Sequence, residues 1–106
     1  MKFEEAKNIL KEKYQTNSIA NDVEIINVGA FDESVKEVFL ALINYNGQAI
    51  LTDMGRISEN FDLDEVSLNI LAKKNGLRVE EYNLETNFEN INDIDKFINV
   101  FKKCNK

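Results

Sequence analysis

Residues 36–55 read KEVFLALINYNGQAILTDMG, and the fold turns on them. Two apolar runs, Val38 to Ile43 and Ala49 to Leu51, flank the dipeptide Asn46-Gly47. Asn-Gly suits a two-residue type I′ turn, because both central residues need positive φ and these two tolerate it best. The stretch therefore predicts a β-hairpin. Val38 to Ile43 does not alternate apolar with polar residues. That is the pattern of a strand covered on both faces, and such cover is the expectation here.

Toward the N-terminus, Val23 to Val28 (VEIINV) is a short run rich in β-branched residues and predicts a further strand. Gly29 to Ser34 is expected to turn the chain into the hairpin, and Gln15 to Asp22 is polar and expected to be a loop. Lys2 to Tyr14 predicts a helix, with Phe3, Ala6, Leu10 and Tyr14 at helical spacing and charges opposite them.

Toward the C-terminus, Asp62 is placed to cap a helix, with Glu65 three residues later in capping-box position. That helix runs to about Asn75, and Gly76 is the expected residue just past its end. Leu63, Val66, Ile70 and Leu71 make its apolar face; Leu68 lies off that face and needs cover from another element. Leu77 to Leu84 (LRVEEYNL) alternates and predicts an edge strand, where charges discourage strand addition. A last helix, capped by Asn90 or Asn92, reaches about Lys103, and buries Ile94, Phe97, Ile98, Phe101 and Cys104.

The expected fold is α+β: a four-stranded, mostly antiparallel sheet with three helices, in the order α-β-β-β-α-β-α. Its 106 residues make one domain, large enough for a single core. If all helices lie on one face, the other face of Val38–Ile43 is left as an apolar patch that implies a dimer or a protein partner.

Composition narrows the chemistry. There is no His, which removes the commonest general base and metal ligand. The one Cys, Cys104, allows no intrachain disulfide and reads as a reduced thiol on the last helix. The first ten residues, MKFEEAKNIL, lack the apolar run of a signal peptide, and no transmembrane run of about 18 apolar residues occurs. A soluble, cytoplasmic protein with no membrane contact is expected.

The net charge of −6 is unevenly spread. Residues 53–95 carry eleven acids and four bases, whereas the last eleven residues carry four Lys and no acid. Glu80 to Asp95 holds six acids and no base: Glu80, Glu81, Glu85, Glu89, Asp93 and Asp95. Such a field repels nucleic acid and attracts a basic partner, so these six are the expected partner-binding residues. No cofactor is expected, since the four glycines are scattered and form no phosphate loop.

The candidate for chemistry is Leu51-Thr52-Asp53-Met54-Gly55. An acid at the end of a central strand is where many nucleases hold a divalent ion. Asp53 is thus the candidate metal ligand. The plainer reading is that Asp53 bonds the backbone of its own turn. The stretch 44–65, NYNGQAILTDMGRISENFDLDE, resembles domain of unknown function 1828, a family of bacterial and phage proteins. Leu51, Thr52, Asp53 and Gly55 carry the resemblance. It implies a phage or mobile-element context, in which small acidic proteins act by binding other proteins.

Three functions follow as expectations. The first is a non-enzymatic protein-binding module, such as a phage inhibitor of a nucleic-acid-binding protein. The second is a metal-dependent nuclease, or a degenerate relative, centred on Asp53. The third is a homodimeric structural or regulatory protein.

Overall fold

A computed structural model describes residues 1–29 and 37–104. The turn expected over Gly29 to Ser34 lies largely outside the described residues, as does Lys36. The elements run α1 (Phe3–Lys13), β1 (Gln15–Ala20), β2 (Val23–Gly29), β3 (Val38–Tyr45), β4 (Gln48–Thr52), α2 (Arg56–Asn60), α3 (Glu65–Lys74), β5 (Arg78–Glu80), β6 (Asn83–Asn87) and α4 (Asp93–Cys104). The six strands form one sheet in the order β1-β2-β3-β4-β6-β5, antiparallel at every joint. The α+β class and the antiparallel sheet are as expected; the described elements are six strands and four helices rather than four and three.

The central hairpin forms where Asn46 and Gly47 place it, with φ of 51° and 89°. The Asn44 side chain braces the turn by accepting the Gly47 N–H at 2.7 Å. The N-terminus is tied to this hairpin: the Phe3 N–H donates to the Gly47 carbonyl and the Ala49 N–H to that of Met1.

Two extra strands come from regions read differently. Gln15–Ala20 is a strand, not a loop, because β2 offers it a paired edge; five of its six side chains stay exposed, which hid it from any hydrophobic pattern. The single strand expected over Leu77–Leu84 is a hairpin. Glu81 and Tyr82 take φ of 49° and 68° and reverse the chain, and β6 runs on to Asn87, past the expected end at Leu84. Neither residue advertises a turn, since positive φ normally selects Gly or Asn.

The helix caps also shift. Asp64, not Asp62, caps α3, its carboxylate accepting the Ser67 N–H at 2.7 Å. Gly76 ends that helix region with φ of 71°, as expected. The buried side of α3 is Leu68 and Ala72, with Leu71 beside them, while Val66 and Ile70 point to solvent at 70% and 53% exposure. Residues 66 and 70 are one turn apart and nearly half a revolution from 68, so burying Leu68 turns them outward. Leu68 is covered by the core, and α4 buries Ile94, Phe97, Val100 and Phe101.

One core joins the helices to one face of the sheet. Phe3, Leu10, Leu68 and Phe97 pack with Ile26, Leu40, Leu42, Leu51 and Leu84. Successive residues of a strand point to opposite faces, so Ile25, Phe39, Ala41, Ile43 and Ile50 point away from that core. The cover expected on both faces of Val38–Ile43 is therefore present on one among the described residues. No helix among them is long and apolar enough to cross a membrane.

Candidate functional site

The open face of the sheet is the candidate site. Cross-strand register builds it in rows. One row runs Asn17–Ile25–Ala41–Thr52–Glu85–Arg78, and the next runs Ala20–Val23–Ile43–Ile50–Asn87. The centre is mostly aliphatic, with Thr52 within it; Asn17 and Ala20 stand at one flank and the polar Glu85, Arg78 and Asn87 at the other. Within the centre Ala41 and Thr52 are buried, at 1% and 3% exposure. Ile25, Phe39, Ile43 and Ile50 are half-buried, and Tyr45 stands out at 67%.

Beside this centre lies a shallow hollow of about 440 Å³, lined by Ile43, Tyr45, Ile50, Arg78, Glu80 and Glu85. The Arg78 guanidinium beside it donates Nε to Glu85 at 3.0 Å and a terminal nitrogen to Asn87 at 3.0 Å. At the opposite end the Arg56 guanidinium lies 5.6 Å from the centre of the Phe39 ring, within cation–π range. The apolar surface is thus framed by groups that hydrogen-bond and carry charge.

The six acids expected to bind a partner do not share one surface. Glu80 and Glu85 stand at the rim of the open face, and Glu81 is in the turn beside them. Glu89 pairs with the N-terminal ammonium at 3.2 Å. Asp93 is engaged inside the fold: it accepts the N–H groups of Glu89 and Asn90 at 2.7 and 3.1 Å and pairs with Lys96 at 3.1 Å. Burial pushes the Asp93 carboxyl up, but those two N–H groups and the Lys96 ammonium together hold it below the usual carboxylate value. Asp95 lies on the helical side, near Tyr14, where burial first and then its charge raise the phenol pKa.

Asp53 is fully buried and takes the plainer of its two expected roles. Its Oδ1 accepts the N–H groups of Gly55 at 2.9 Å and Leu84 at 2.8 Å, and its Oδ2 accepts that of Ile57 at 3.0 Å. Burial pushes its pKa up, against the downward pull of those N–H bonds. Both oxygens face backbone donors, and among the described residues no three His, Cys, Asp or Glu gather around a shared point. The arrangement locks the exit from β4 to the start of β6. Gly55 completes it: a Cβ there would lie 3.0 Å from the Asn83 side-chain oxygen, at a φ of 75°.

The open face of Val38–Ile43, which includes Phe39, stands among the two arrangements expected from the sequence, whereas Ile25 and Ile50 were not named as part of it. The available signal was the unbroken run Val38–Ile43, which marks an apolar strand without saying which face is covered. Comparison with protein-family models, with curated proteins and with solved structures finds no match for this chain.

Proposed function

We propose that this chain is a non-enzymatic protein-binding module that docks its partner through the open face of the sheet. The observation that carries this reading is the one-sided core: Ile25, Phe39, Ala41, Ile43 and Ile50 lie on the face turned away from it, where among the described residues the Arg56 side chain reaches Phe39. A contiguous apolar patch rimmed by polar groups marks a site of interaction. Glu80, Glu81 and Glu85 at one flank, with a net charge of −6, favour a basic partner. In its sharper form the module is an inhibitor carried by a phage or mobile element, acting in the cytoplasm. Its carboxylates would occupy a place that phosphates take in a nucleic-acid-binding protein.

The test is a pull-down with three baits: the natural chain, Ile43→Lys, and the joint change of Glu80, Glu81 and Glu85 to Lys. A genuine partner binds the first, is lost with the second, and is weakened with the third. Its affinity falls steeply from low to high salt. Equal capture by all three baits would overturn the docking face. Loss with Ile43→Lys alone and no salt dependence would leave the face and remove the basic partner.

A further inference from the structure

The two edges of the sheet are built differently. The β5 edge is three residues long and carries Arg78 and Glu80, so shortness and charge both deter another strand. The β1 edge is six residues long, QTNSIA, with neither charge nor proline. Its partner is β2 on one side, and among the described residues no strand lies on the other. Ile19 on it is 62% exposed. Of the usual protective devices it has a bulge between Ser18 and Ala20.

We propose that β1 pairs antiparallel with β1 of a second copy of this chain, about a two-fold axis, joining two six-stranded sheets into one. Charge identifies the occupant. The uncharged strand is bracketed by Lys13 just before it and Asp22 just after it, both exposed. Antiparallel pairing with an identical strand brings the Lys13 end of each copy to the Asp22 end of the other. Opposite charges meet at both ends of the seam, and the uncharged middle sets no like charges against each other. A two-fold axis between antiparallel strands stands perpendicular to the sheet. Both helical layers then lie on one side and both open faces on the other. The pairing stands apart from the docking face and leaves that face accessible.

The experiment is sedimentation velocity over a micromolar concentration series, on the natural chain and four variants. The natural chain is expected to dimerise. Asn17→Lys, which sets two ammonium groups near the axis, gives a monomer with unchanged far-ultraviolet circular dichroism. Lys13→Asp weakens dimerisation about tenfold, and adding Asp22→Lys to it restores affinity to within about twofold. Ile43→Lys remains a dimer. A natural chain that stays monomeric throughout overturns the proposal. So does a dimer that survives Asn17→Lys, or one that is broken by Ile43→Lys instead.

Discussion

Asp53 shows how much one side chain can organise. It closes the turn after β4 through Gly55 and Ile57, and it reaches across to the first residues of β6 through Leu84. Asp53→Ala removes the shared acceptor of three backbone donors in a site with no exposure. A buried donor left without a partner costs about 1–3 kcal/mol, so the expected loss of stability is about 3 kcal/mol or more. Urea unfolding measures it, and a loss under about 1 kcal/mol would show that water reaches those N–H groups. The role was half legible in the sequence. An Asp followed two residues later by Gly points to a local turn, but nothing in the spacing reveals that Leu84, thirty-one positions on, is the third donor.

At the level of elements, hairpins were legible where their turn residues were conventional. Asn46-Gly47 announced β3 and β4, whereas Glu81-Tyr82 concealed the join between β5 and β6. A non-Gly residue in the left-handed region costs about 1–2 kcal/mol, and this turn bears that cost at both central positions. Tyr82→Gly is therefore expected to stabilise the protein by about 1 kcal/mol, read as a rise in melting temperature, provided the ring adds little packing at 49% exposure. A fall would mean that the ring holds the hairpin by contacts worth more than the strain. β1 was invisible for a different reason. Its side chains are mostly polar and exposed, so pairing with β2 makes it a strand and composition does not. The outward turn of Val66 and Ile70 follows the same logic, since a helix with apolar residues on two sides does not declare which of them meets the core.

Across the whole molecule, fold class followed from periodicity, but the distribution of helices between the two faces did not. That choice depends on long-range packing, which an apolar run cannot encode. The acidic stretch likewise divides in space: Glu80 and Glu85 reach the open face with Glu81 in the turn beside them, while Glu89, Asp93 and Asp95 belong to the passage into α4 and to the helical side. Sequence order is preserved in the sheet from β1 to β4 and broken once, where β6 rather than β5 joins β4. That seam has three residue pairs, Ile50–Asn87, Leu51–Thr86 and Thr52–Glu85, continued by the Asp53–Leu84 bonds. The joint makes the chain divisible. Separation there would release β5, β6 and α3 as one unit while the four sequential strands kept their ladder. Native-state amide exchange is expected to show it, with the N–H groups of Asp53 and Leu84 opening together at a free energy below that of the β2–β3 ladder. Protection equal to that of the ladder would mean that the protein opens only as a whole.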